Sequence, residues 1–278
     1  MNVGVGLPNT TPGADGELLI EWARRADAGP FTSVAVLDRI AYDSYDPFVA
    51  LAAAAAVTER ARLATMIAIG PLRNAAILAK QAGSVSALCP GRMTLGLAVG
   101  AREDDYEIAG VPLRGRGRRL DDQLAFLRGE WPESAIGPDP ERRGSPQILV
   151  GGASGPAFAR MARYADGYAH GGGPPRAFAS AAARARAAWA DLGRPGEPAL
   201  WGQGYFALGE PERGADYLRD YYAFTGPFAE KIAAGNLDSP RAIKDFVRGY
   251  EEEGCDELVL LPTIPDIEQL DRLTDVVA

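Results

Sequence analysis

Three side chains that follow apolar runs of this 278-residue chain could take part in proton transfer. Asp38 follows residues 33–37, Glu103 comes shortly after residues 93–99, and His170 follows residues 167–169. Carboxylates and imidazoles are common general acids and bases near neutral pH, so these three are our candidate catalytic residues. Structural roles explain them as well, because acids are favoured in a first helical turn and a histidine beside glycines can be a loop residue.

Two glycine-rich segments could bind an anion through backbone amides. Residues 151–156 have the sequence Gly-Gly-Ala-Ser-Gly-Pro, and residues 171–173 are all glycine. Glycine lets a ligand approach the backbone closely, and the free amides of a helix N-terminus attract phosphate. A tight turn with a serine cap explains the first segment alone, whereas the second glycine cluster favours phosphate binding. The predicted phosphate-binding residues are Gly151, Gly152, Ala153, Ser154, Gly171 and Gly172.

Composition limits the classes of function. With 37 acidic and 29 basic side chains the net charge is −8, which disfavours nucleic acid as a partner. The arginine-rich residues 114–119 are a local exception, interpreted as the basic first turn of an amphipathic helix that could contact a cofactor phosphate or tail. A single histidine cannot supply a histidine-rich site, so no metal is predicted. Cys89 and Cys255 have no metal-like spacing and are predicted to be reduced structural residues.

The apolar runs of the chain are short. The longest, such as residues 51–57, cannot span a bilayer, and the first residues lack a basic leader. We therefore expect a cytoplasmic protein with a small-molecule substrate, no nucleic acid and no membrane partner.

Strand-like apolar runs alternate with amphipathic helical patterns along the whole sequence. The eight runs are residues 2–7, 33–37, 63–69, 93–99, 147–150, 167–169, 200–208 and 257–261. Eight strands, each followed by a helix, predict one α/β domain over residues 1–278, a (β/α)8 TIM barrel. Residues 129–146 fit neither element and are predicted to be a short insertion, and residues 224–236 could form an extra helix. Such barrels carry their sites on the loops after the strands, where the candidate catalytic and phosphate-binding residues fall.

Several blocks of the sequence resemble the luciferase-like monooxygenase superfamily of flavin- and deazaflavin-dependent oxidoreductases. The most specific block is residues 90–100, Pro-Gly-Arg-Met-Thr-Leu-Gly-Leu-Ala-Val-Gly. The other blocks, in the family's order, are residues 6–9, Asp38, 72–74, 79–81, 111–112, 118–120, 148–152 and 165–167. The resemblance implies a TIM barrel that holds the deazaflavin F420, or alternatively FMN, at the carboxyl ends of its strands.

The resemblance also implies which residues contact the cofactor. They are Pro8, Asp38, Arg39, Met66, Ile67, Ala68, Gly100, Ala101, Arg102, Gly151, Gly152, Ala153, Ser154, His170, Gly171 and Gly172. A cis peptide bond is implied between Met66 and Ile67, with an inward bulge of the third strand. At Arg39 the chain departs from many deazaflavin-dependent members, which have histidine there. A protonation step would then need Glu103, His170 or water.

The function implied is that of an oxidoreductase using reduced F420 or FMN. It would transfer hydride to a small, partly apolar organic substrate or monooxygenate it. The alternative is a barrel that binds a flavin or another ligand without catalysis. An unrelated aldolase or isomerase barrel would need a lysine or paired acids at its strand ends, and no lysine is evident there. Family members commonly pair, so we expect a homodimer through the helices at residues 48–57 and 77–88.

Overall fold

Eight parallel strands form a closed barrel in sequence order, β1 to β8. The computed structural model describes residues 1–130 and 136–278. The strands are β1 Asn2–Gly6, β2 Ser33–Val36, β3 Arg62–Ile69, β4 Met93–Ala98, β5 Gln147–Gly151, β6 Gly167–Ala169, β7 Ala199–Phe206 and β8 Glu257–Pro262. The predicted (β/α)8 barrel is confirmed, and every predicted strand end lies within two residues of the observed one.

Helices surround the barrel and connect its strands. They are α1 Gly16–Ala28, α2 Pro47–Ala55, α3 Ala75–Leu88, α4 Glu103–Ile108, α5 Arg116–Ala125, α6 Pro140–Arg143, α7 Gly155–Tyr164, α8 Pro175–Asp191, α9 Pro211–Tyr221, α10 Phe228–Ala233, α11 Pro240–Glu252 and α12 Ile267–Val277. The predicted extra helix is α10, preceded by a 3-10 turn at Ala223–Thr225. The predicted insertion contains α6, and its residues 131–135 lie outside the described chain. None of the described helices combines the length and the apolar character needed to cross a membrane.

The strands are apolar on both faces because each face meets a different buried layer. One layer lies between strands and helices, where Val34 and Val36 share a cluster with Trp22 of α1. The other lies inside the barrel and includes Ala35 and Val259. Every residue of β2 and β8 is buried as a result. This two-sided burial explains why apolar runs rather than alternating patterns marked the strands.

Polar side chains fix the starts of several helices around the barrel. Asp46 accepts hydrogen bonds from two backbone N–H groups at the start of α2, and Asn74 caps α3. Ser239 caps α11 ahead of Pro240, as its sequence pattern predicts. Cys89 and Cys255 are buried free thiols, in keeping with a structural role.

Strand β3 bulges where the resemblance implied it. Its pairing register with β4 shifts between Thr65 and Ala68, and the Met66–Ile67 peptide bond is cis. The neighbouring strands leave room for this backbone through glycine. A Cβ atom on Gly96 would clash with the carbonyl oxygen of Thr65, and one on Gly151 would clash with the side chain of Ile67. The two glycines therefore allow β3 to bend at the end of the barrel where its carboxyl terminus lies.

Candidate functional site

An open, mostly apolar cavity of about 270 Å³ lies at the carboxyl ends of the strands. TIM-barrel enzymes carry their active sites at this end of the barrel. The lining residues are Leu37, Asp38, Met66, Ile67, Ile69, Ala98, Gly100, Ala101, Arg102, Gly152, Ala169, Gly171, Gln203, Tyr221, Tyr222 and Phe224. Half of them were predicted from the sequence as site residues, namely Asp38, Met66, Ile67, Gly100, Ala101, Arg102, Gly152 and Gly171.

The other predicted site residues lie around the cavity without lining it. Pro8, Ala68 and Gly151 are buried at the ends of their strands. Ala153, Ser154 and Gly172 belong to the two glycine-rich turns, and Arg39, Glu103 and His170 are considered below.

The Asp38 carboxylate is fully buried and its oxygens already have partners. Both terminal nitrogens of Arg73 donate to it, over 2.5 and 3.2 Å, and the backbone N–H of Ile69 donates over 2.8 Å. Arg73 also donates to Asp46 over 3.0 Å. Burial disfavours the charge of Arg73, but the two carboxylates more than offset it and raise the pKa of the guanidinium. Asp38 thus acts on the cavity as a positioning residue, because it holds the backbone of Ile69 at the end of β3.

Arg39 lies buried between acidic groups and aromatic rings. Its guanidinium pairs with Asp104 over 2.8 Å and with the fully buried Asp105 over 3.0 Å. The rings of Tyr42 and Tyr221 have their centres 5.0 and 5.5 Å from its central carbon. This network joins the loop after β2 to the first turn of α4. The arginine therefore has its own structural partners at the place where many deazaflavin-dependent relatives have histidine.

Glu103 and His170, which lie outside the cavity lining, differ in burial. Glu103 is exposed in the first turn of α4, where acids are favoured by the helix dipole. The His170 ring packs against Phe178, with centres 5.7 Å apart, and both of its nitrogens are buried without a hydrogen-bond partner in the described chain. Burial lowers the pKa of His170, so the imidazole is neutral at pH 7.

The first glycine-rich segment forms a tight turn into α7. Gly152 has φ of +117°, a conformation that favours glycine, and it borders the cavity. The Ser154 hydroxyl accepts a hydrogen bond from the N–H of Ala157 over 3.4 Å, which is the predicted serine cap. A structural turn therefore accounts for Ser154, while Gly152 remains available to a ligand.

The second glycine-rich segment leads into α8. Gly172 and Gly173 have φ of +94° and +109°. Because Pro174 and Pro175 at the start of α8 have no N–H group, an anion here would be bound by the glycine amides. A Cβ atom on Gly171 would meet nothing within 4 Å, so packing does not explain the absence of a side chain. The open space beside this backbone fits a phosphate that approaches closely.

Arg102 extends from the loop after β4 across the barrel opening to the end of α9. Its Nη2 donates to the carbonyl oxygen of Tyr221 over 2.7 Å. The ring centres of Tyr221, Phe224 and Tyr222 lie 4.2, 4.5 and 5.4 Å from its central carbon. We call Tyr221, Tyr222 and Phe224 the aromatic wall. The Tyr222 hydroxyl is 2.7 Å from that of Tyr205, which ties the wall to β7.

Sequence reasoning missed the aromatic wall, together with Gln203 and Arg73. Four other aromatic residues, Tyr42, Tyr45, Tyr205 and Phe206, do not line the cavity, and Phe206 is fully buried in the core. A signal was present, since four aromatic residues fall between positions 217 and 224 at the end of α9.

Comparison with known proteins identifies the family to which the chain belongs. The model of the luciferase-like monooxygenase family matches residues 1–254. The chain belongs to the luciferase-like monooxygenase family. An uncharacterized protein of Mycobacterium tuberculosis is 35% identical over 192 residues, which are 56% of this chain and 66% of that protein. The chain thus matches slightly less than two thirds of this relative's length.

Solved structures share the fold at low sequence identity. The monooxygenase RslO1 from Streptomyces bottropensis has a TM-score of 0.77 and 20% identity, with 99% of this chain and 97% of that chain covered. An F420-dependent secondary alcohol dehydrogenase in complex with an F420-acetone adduct has a TM-score of 0.78 and 14% identity, covering 99% and 98%. The oxygenating constituent of 3,6-diketocamphane monooxygenase from Pseudomonas putida, in complex with FMN, has a TM-score of 0.76 and 16% identity, covering 100% and 96%.

Proposed function

We propose that this protein is an oxidoreductase that uses reduced F420, or alternatively FMN, to transform a small and partly apolar organic substrate. The reaction is hydride transfer or, with FMN and oxygen, monooxygenation. The observation that carries the proposal is the apolar cavity bordered by the β3 bulge on one side and the open Gly171 turn on another. Structural neighbours of both cofactor types support the class of chemistry without choosing between them.

The residues present fit the two ends of such a cofactor. The bulge residues Met66 and Ile67 and the apolar Ala98 would border its ring system. The turn Gly171–Gly173 would hold its phosphate through backbone amides. When bound, the cofactor supplies the redox chemistry, and the protein positions the substrate and excludes water.

The charges around the cavity agree with a protein that leaves the redox step to a cofactor. Asp38 is the only carboxylate in the described lining, and Arg73 pairs with it. Tyr221 and Tyr222 keep their protons at neutral pH because burial raises their pKa. His170, next to the glycine turn, and the exposed Glu103 are the candidate groups for moving a proton.

Titration of the purified protein with F420 and, separately, with FMN tests the proposal. We expect saturable one-to-one binding of one of the two, measured by cofactor fluorescence, followed by substrate-dependent oxidation of its reduced form. Binding without oxidation across a panel of ketones, alcohols, aldehydes and aromatic compounds would favour the non-catalytic alternative. Binding of neither cofactor would refute the proposal.

A further inference from the structure

Arg102 is the one charged group of the described cavity lining that has no opposite charge beside it. Asp38, the other charged residue of the lining, is paired with Arg73. Nearby Arg39 has two carboxylate partners. Arg102 is 9% exposed, yet it takes part in no ion pair within residues 1–130 and 136–278. Its positive charge therefore faces the cavity uncompensated.

Aromatic rings lie beside the Arg102 guanidinium, but not all of its hydrogen-bond donors have a partner. Tyr221 and Phe224 lie near the guanidinium at 4.2 and 4.5 Å, which gives favourable cation–π contacts. Nη2 donates to the Tyr221 carbonyl oxygen, whereas Nε is buried without a partner. A buried donor on a cation is costly to leave unpaired, so the site is complementary to an acceptor that carries negative charge.

We propose that Arg102 binds a carboxylate group on an aromatic substrate, whose ring lies against the aromatic wall. A planar guanidinium matches a carboxylate through paired hydrogen bonds, and Tyr221, Tyr222 and Phe224 favour a flat apolar partner. The net charge of −8 disfavours the binding of anions in general, so a carboxylate would need a local positive charge such as that of Arg102. The proposal rests on the proposed function and names its substrate class.

A cofactor phosphate is the other anion that could reach Arg102. The glycine turn at Gly171–Gly173 before α8 already offers a phosphate a separate site built from backbone amides. The aromatic rings around Arg102 suit the carbon skeleton of a substrate better than a solvated phosphate. We therefore assign Arg102 to the substrate, and the experiment separates the two sources.

The test compares benzoate with neutral benzamide, which has nearly the same shape. Their affinities are measured by isothermal titration calorimetry on the protein without cofactor and on the protein saturated with F420 or FMN. We expect the wild-type protein to prefer benzoate by about tenfold or more, as for hydrogen bonds to charged groups. Arg102→Met should abolish the preference, so that benzoate binds no more tightly than benzamide. Arg241→Met is the matched control, because the Arg241 side chain is 93% exposed on α11, and it should behave as wild type.

Other outcomes would overturn the assignment. Equal affinity of the wild-type protein for benzoate and benzamide refutes it, even if Arg102→Met does not fold. A tenfold loss of F420 or FMN affinity in Arg102→Met with the benzoate preference intact assigns the arginine to the cofactor instead. Failure of the proposed function looks different: benzoate is preferred, but neither cofactor binds.

Discussion

At the scale of single residues, most charged side chains near the site are paired with opposite charges of the protein itself. Asp38, Arg73 and Asp46 form one network, and Arg39, Asp104 and Asp105 form another. Both networks link a loop after a strand to the start of a helix. They fix the backbone around the cavity.

Removing Arg73 should be much more harmful than removing its exposed partner. Arg73→Met leaves the fully buried Asp38 carboxylate without a counter-charge, and we expect a loss of about 3–5 kcal/mol in unfolding free energy. Asp46→Asn removes a partner whose side chain is 36% exposed, and it should cost about 1 kcal/mol or less. Urea unfolding followed by circular dichroism measures both. Similar small losses in the two variants would mean that the Asp38–Arg73 pair is not structurally important.

His170 should make stability depend on pH in a defined direction. Burial lowers its pKa in the folded protein below the unfolded value of about 6.5. The contribution of His170 to the free energy of unfolding is therefore complete above about pH 6.5 and is lost as the pH falls through the folded pKa. His170→Asn removes this titration, so the wild-type protein should lose stability relative to the variant as the pH is lowered. Thermal unfolding at a series of pH values measures the difference, and parallel curves would contradict the prediction.

At the scale of elements, the glycine turn before α8 can be tested without disturbing the fold. A substitution at Gly152 would strain the backbone, because its φ is +117°. Gly171 is the better position, since an added Cβ atom meets no protein atom within 4 Å. Gly171→Val should weaken cofactor binding at least about tenfold with little change in melting temperature. Gly16→Val, also in open space, is the control and should change neither. Equal losses in binding and stability would favour a purely structural turn.

The elements were predictable from the sequence because their signals are local. Apolar runs bounded by turn residues located the strands, and Ser154 and Ser239 marked the starts of two helices. The partners within the site were not predictable in this way. Arg102 meets Tyr221 across 119 positions of sequence, and Arg73 meets Asp38 across 35. Such contacts depend on which helices close over the barrel opening, and no local pattern records that.

At the scale of the whole molecule, α2 and α3 carry an apolar face that suits pairing. Val49, Ile77 and Leu88 are 65, 55 and 57% exposed on these two helices, at the place where we expect a homodimer. Ile77→Glu should shift the protein toward monomer, because a charge in an apolar interface is costly. Leu192→Glu changes a comparably exposed residue at the end of α8 and should not. Light scattering measures the mass. A monomeric wild-type protein, or equal dissociation by both variants, would contradict the expected interface.

The bulge in β3 also limits which sequences can form this barrel. Gly96 lies on the strand β4, and it is glycine because the backbone carbonyl oxygen of Thr65 on β3 occupies the space of its Cβ. This residue is required even if it contacts no ligand. In a complete mutational scan selected only for folding, Gly96 should tolerate almost no replacement, whereas Gly171 should accept many. Descendants of this chain could change their ligand by altering the aromatic wall, but they could not lose Gly96 without reshaping β3.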